Sequence, residues 1–152
     1  MQPEEQLIKQ RIEKLKKIEK LGINPYPYKF EVKNFSDELL KKYAKLKKEG
    51  KTNDKVASAG RIMTLRPMGK IAFGHIQDYK GKIQFFINEK EISKKEFKLF
   101  NLLDLGDIIG INGTIFRTKA GEITILVRKL ELLTKSLRPL PNSRYLVSVI
   151  LM

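Results

Sequence analysis

The 152-residue sequence contains no cysteine and no tryptophan, and only one histidine. The missing thiols exclude disulfides and thiolate metal sites. A lone His75 without cysteine or a second histidine has no ligand set for a metal, and no nucleophile stands beside it to be activated. His75 is therefore expected as a plain surface strand residue. Long apolar runs are missing too, so no segment is suited to span a bilayer. The opening "MQPEEQLIKQ" lacks the apolar centre of a secretory signal, and a cytoplasmic protein is expected. Catalytic signatures are equally scarce. "GDIIGING" has neither the spacing nor the strand-to-helix context of a phosphate loop, and the carboxylates occur singly, with no acidic cluster for magnesium. No catalytic residue and no metal ligand is assigned.

What the chain does have is positive charge. Lys and Arg number 31 against 17 Asp and Glu, a formal net charge of +14. The excess is spread along the chain: +6 over residues 1–55 (15 against 9) and +8 over residues 56–152 (16 against 8). Lys and Arg release condensed counterions when they neutralise phosphates, so a polyanionic partner is favoured over a membrane surface or simple solubility.

Helical spacing of Leu7, Ile8, Ile12, Leu15, Ile18 and Leu21 predicts a helix over residues 4–21. Gly22 and Pro25 end it, and "NPYPYKF" reads as an extended connector. A second helix is expected from Ser36, as N-cap, to Gly50, with a narrow stripe of Leu39, Tyr43 and Leu46. Beyond "GKTNDK" the hydrophobic period falls to two. Strands are expected near 56–66, 71–78, 82–89, 107–117 and 122–133. Ser93 and Glu96 form a capping-box signature for a short helix between the third and fourth strands. Five strands with a helix in that place match the order of an OB-fold barrel, here mainly β with N-terminal α-helices. The chain divides into a helical extension (1–55), the barrel (56–135) and a C-terminal tail (136–152).

The stretch "RIMTLRPMGKIAFGHIQD" sets Phe73 between Ala72 and Gly74. A two-residue turn at Lys80–Gly81, or a four-residue loop Tyr79–Lys82, places Gln77 opposite Gln84. With either turn, alternation places Ala72, Gly74, Ile76, Ile83, Phe85 and Ile87 inward, whereas a three-residue loop, the remaining alternative, would break this parity. The other face carries Phe73, His75, Gln77, Gln84, Phe86 and Asn88. Rings for stacking beside amides for base edges suit a single-stranded nucleic acid. Core packing competes for Phe73, and simple solvation for Gln84, Arg66, Lys70 and Glu122. For Phe116, support of RNA stacking is the alternative, and barrel packing is expected.

"GRIMTLRPMGKIAFGHIQD", "GKIQFFI", "LDLGDIIGINGTIFRTKAGEITI" and "LELLTKSLRPLP" resemble the N-terminal part of bacterial-type class II lysyl-tRNA synthetases, and "RIEKLKKIEKLGINPYPYKFE" resembles that family's leading helix. The likeness covers roughly residues 7–141. It implies an anticodon-binding OB domain for lysine tRNA. It implies that Phe73 stacks on an anticodon base, that Gln84 and Arg66 hydrogen-bond to anticodon bases, and that Glu122 reads the wobble uridine. Arg61, Lys70, Arg117 and Lys119, in or beside the same motifs, are the expected RNA-backbone contacts. A stand-alone OB module binding RNA or single-stranded DNA without sequence preference is the alternative. After "LRPLP" the family enters its catalytic domain, which binds ATP with magnesium and carries the main dimer interface. This chain reads "NSRYLVSVILM" instead, with none of the class II motifs. A truncated or frame-altered product is expected, monomeric or bound to a separate catalytic chain, with no cofactor of its own.

Overall fold

The computed structural model describes residues 3–24 and 30–138. Residues 25–29 of the expected connector, and the tail from 139 onward, lie outside the described residues. The elements run α1 (Pro3–Lys20), α2 (Ser36–Lys42), β1 (Lys51–Met68), β2 (Ile71–Asp78), β3 (Gly81–Asn88), α3 (Lys94–Phe100), β4 (Ile108–Arg117) and β5 (Ile123–Thr134). The strands close into a barrel in the order β1-β2-β3-β5-β4. This is the five-stranded OB arrangement, with the short helix between β3 and β4.

β1 is long enough to pair with β2 on one side and β4 on the other, and Arg61 lies opposite both Gln77 and Ile108. A register shift between Ile62 and Thr64 marks the bend. The seam of the ring is a short parallel pairing of β3 with β5, Gln84 with Thr124, Phe85 with Ile125 and Phe86 with Leu126. The other four pairings are antiparallel.

The inward set is the expected one. Ala72, Ile76, Ile83, Phe85 and Ile87 are all buried, together with Ile62, Ile109, Ile111, Ile115, Ile125 and Val127. Gly74 is needed where it stands, because a Cβ there would meet the Phe85 ring at 2.5 Å and the Thr64 carbonyl at 2.7 Å. The N-terminal helices share this core: Ile18, Leu39 and Tyr43 belong to the same cluster. Burial, and then the 2.6 Å hydrogen bond that the Tyr43 hydroxyl donates to Asp54, push the phenol up to about 12.

Three expectations about turns, caps and helix ends are corrected. The β2–β3 turn is Tyr79–Lys80, with Asp78 opposite Gly81, so Gln77 faces Lys82 and Gln84 faces His75. The cause is Asp78, whose Oδ1 accepts the Lys80 and Gly81 amides at 2.9 and 3.0 Å and so fixes an Asx-type turn. The shift is two residues, an even number, and the two faces are unchanged. The same carboxylate takes the amide and hydroxyl of Ser36, both at 2.7 Å. Ser36 is thus the first helical residue, buried, and Phe35 is the cap position. The second helix also ends at Lys42 rather than near Gly50. The Arg117 guanidinium draws off the carbonyls of Tyr43, Ala44 and Leu46, which a continuing helix would need. By contrast, α3 carries the expected capping box: Ser93 Oγ accepts from the Glu96 amide at 3.1 Å, and the Glu96 carboxylate accepts from the Ser93 amide at 3.4 Å.

Candidate nucleic-acid interface

On the outer face of β2 and β3, Phe73 lies directly opposite Phe86, with ring centroids 4.7 Å apart and planes tilted by 38°. Phe116, from β4, meets Phe86 edge-on at 6.0 Å. All three rings are half-buried, and none belongs to the core cluster. The barrel-packing expectation for Phe116 is therefore corrected. The sequence pattern placed Phe86 beside Phe73 but gave it no role. The strand alternation was the signal.

These rings and Met68 floor an open groove of about 610 Å³. Lys51, Arg66 and Lys119 stand along it, with Gln84, Glu49 and Glu122. Arg66 is the cross-strand neighbour of Phe73. Chain positions 66, 73, 84 and 122 thus meet at one site through the closure of the barrel.

Gln84 faces outward yet is only 4% exposed. Its Nε2 donates to Thr124 Oγ1 at 2.9 Å, and that hydroxyl donates to the Glu122 carbonyl at 3.0 Å. The parallel seam supplies this partner. One N–H and the amide oxygen of Gln84 have no protein partner described, so this amide keeps both a donor and an acceptor.

Glu122 sits in the β4–β5 turn. Its amide donates to Thr118 Oγ1 at 3.1 Å, and its carbonyl accepts the Thr118 amide at 3.0 Å. Its Oε2 lies 2.5 Å from His75 Nε2, and His75 Nδ1 lies 2.7 Å from Thr64 Oγ1. His75 is a surface strand residue as expected, and its ring in addition bridges β1 and the β4–β5 turn. The parallel register that brings it to Glu122 leaves no local mark in the sequence.

The other cations fall in three different settings. Lys119 is 88% exposed at the groove, within 3.8 Å of Glu49, a solvated pairing that holds it weakly. Arg117 borders the groove, but its guanidinium is engaged by the carbonyls of Leu46, Tyr43, Ala44 and Gly121. Arg61 and Lys70 do not line the groove. The Arg61 Nη1 donates to the Gly106 carbonyl at 3.0 Å, its Nε is buried without a partner, and burial lowers its pKa. Lys70 is exposed in the β1–β2 turn.

Among the described residues there is no group of three or more His, Asp or Glu side chains able to hold a metal, and no helix long and apolar enough to cross a membrane.

Comparison with known proteins fits this geometry. The chain is 45% identical over 137 residues to the lysine–tRNA ligase of Carboxydothermus hydrogenoformans, covering 90% of this chain and 27% of that protein. It is 44% identical over 135 residues to the lysine–tRNA ligase of Thermosipho africanus, 88% of this chain and 27% of that one. For the lysine–tRNA ligase of Dehalococcoides mccartyi the figures are 45% over 141 residues, 92% and 28%. The chain thus spans little more than a quarter of the length of these relatives. Residues 56–133, the barrel almost from end to end, match the model of a family described as an OB-fold nucleic acid binding domain. The chain belongs to that family, the tRNA anti-codon group of OB-fold nucleic acid binding domains.

Proposed function

We propose that these residues are the anticodon-binding region of a lysine–tRNA ligase, and that the groove receives the uridine-rich anticodon of lysine tRNA in the cytoplasm. One observation carries the reading: Arg66, Phe73, Gln84 and Glu122, distant in sequence, line a single groove floored by aromatic rings. Each has a separate job there. Phe73, extended by Phe86 and Phe116, offers planes on which bases stack. Uracil presents an N–H flanked by two carbonyls. The Gln84 amide can donate to a carbonyl and accept from the N–H, the Glu122 carboxylate can accept from the N–H of the wobble uracil, and Arg66 can donate to carbonyls. Lys51 and Lys119 attract the phosphates between them. The role in aminoacylation is selection of the tRNA. Activation of lysine with ATP and magnesium is assigned to a catalytic domain that these residues do not include.

The test is binding to the lysine anticodon stem-loop and to the same stem-loop with its uridines replaced by cytidines. Cytosine turns the N–H into an acceptor and a carbonyl into an amine, so binding should weaken by about 1–3 kcal/mol for each base directly read. Equal affinities with a steep salt dependence would select a module that binds RNA without sequence preference.

A further inference from the structure

Glu122 is held by its main chain through Thr118, which leaves its carboxylate as the one part free to swing. His75 removes that freedom. Its Nε2 meets Oε2 at 2.5 Å, and no protein donor is described on Oε1. An ionised carboxylate only accepts, so Nε2 carries the proton. The other ring nitrogen, Nδ1, meets the Thr64 hydroxyl at 2.7 Å, which fixes the plane of the imidazole, since a hydroxyl can both donate and accept. His75 does not line the groove itself, whereas Glu122 does.

We propose that His75 is a positioning residue for base discrimination: by occupying one oxygen of Glu122, it presents the other to the groove as a fixed acceptor. The inference rests on the reading of Glu122 as a base contact. Its physical content lies in the mismatch. A mobile carboxylate facing the acceptor nitrogen of cytosine would rotate into water and lose little. A carboxylate pinned by His75, on a main chain fixed through Thr118, cannot turn away, so two acceptors are left facing each other. The same pinning removes the entropic cost of ordering a Glu side chain when uracil binds. His75 thus widens the gap from both sides, improving the fit of an N–H edge and worsening that of a bare nitrogen.

The test measures binding to lysine anticodon stem-loops in which each uridine is replaced singly by cytidine. The proteins are the wild type, His75→Phe, His75→Gln, Thr64→Val, Glu122→Gln and the His75→Phe/Glu122→Gln double variant, with a melting temperature taken for each. His75→Phe should lose about tenfold in uridine-over-cytidine preference at one position, partly through tighter binding of the cytidine form. Glu122→Gln should lose preference at the same position, and the double variant should lose no more than the larger single loss. His75→Gln keeps an amide donor and should recover part of the preference. Thr64→Val, which frees the ring without touching Glu122, should give a smaller loss at that same position.

A uniform loss on all stem-loops, or additive losses in the double variant, would overturn the positioning role while leaving the anticodon reading intact. A wild type without preference at any position would bring down that reading, and the inference with it.

Discussion

Phe73 separates a displayed ring from a packed one. It is half-buried against Phe86 and stands outside the core cluster. Phe73→Ala should therefore cost about 1–3 kcal/mol of RNA binding, the usual loss of one stacked base, while the urea midpoint changes little. Loss of the fold on this substitution would make the ring a core residue. Its neighbour Gly74 should respond in the opposite sense. Gly74→Ala forces a methyl onto the Phe85 ring and the Thr64 carbonyl, and should cost about 1–3 kcal/mol of stability in denaturant unfolding. Adjacent residues of one strand thus report on two different properties.

Between elements, a buried ionic network ties α1 to the end of β5. Lys135 Nζ, fully buried, lies 2.7 Å from both Asp104 Oδ2 and Asp107 Oδ2. Lys14 Nζ, from α1, lies 2.7 Å from Asp104 Oδ1, and Arg11 donates to the Arg138 carbonyl at 2.9 Å. Asp107→Ala leaves a buried ammonium with half its partners, and should cost about 3 kcal/mol in urea unfolding, the low end for a broken buried pair. At Asp104, burial raises the pKa, but the ammonium groups of Lys135 and Lys14 outweigh it and hold the carboxyl below its ordinary value. A lowered folded pKa means stability that is present above the unfolded carboxylate pKa and lost as pH falls through the folded value. Asp104→Asn should remove that acid-dependent component, seen as a flatter fall of the urea midpoint below about pH 4. The strand period was legible in the sequence because alternation is local, and Ser93 with Glu96 announced α3 for the same reason. The Tyr79–Lys80 turn was not, since an Asp78 carboxylate shared with Ser36 decides it. Nor was the early end of α2, which Arg117 imposes from far along the chain. Phe73 and Gln84 could be put on one face by parity, whereas the pairing of His75 with Glu122 needed the closed ring.

For the whole molecule, a net charge of +14 makes RNA affinity strongly salt-dependent. The cations at the groove differ in how free they are. Lys119→Ala should lower the slope of log K against log salt by about 0.7 for a single-stranded contact, equally for uridine and cytidine stem-loops, when titrations are repeated across salt concentrations. Arg117→Ala should instead unsettle α2 and the Gly121 turn, lowering the melting temperature, because its guanidinium serves protein carbonyls. The short parallel seam adds a different coupling. Until β5 docks on β3, Gln84 has no Thr124, and the turn bearing Glu122 is not carried to His75. Closing the ring and building the groove are one event across some forty residues of chain. RNA that binds only the closed ring adds its own free energy to that event. Backbone amides along the seam should then exchange with deuterium more slowly when the stem-loop is bound, with the RNA acting as a latch on the barrel that reads it.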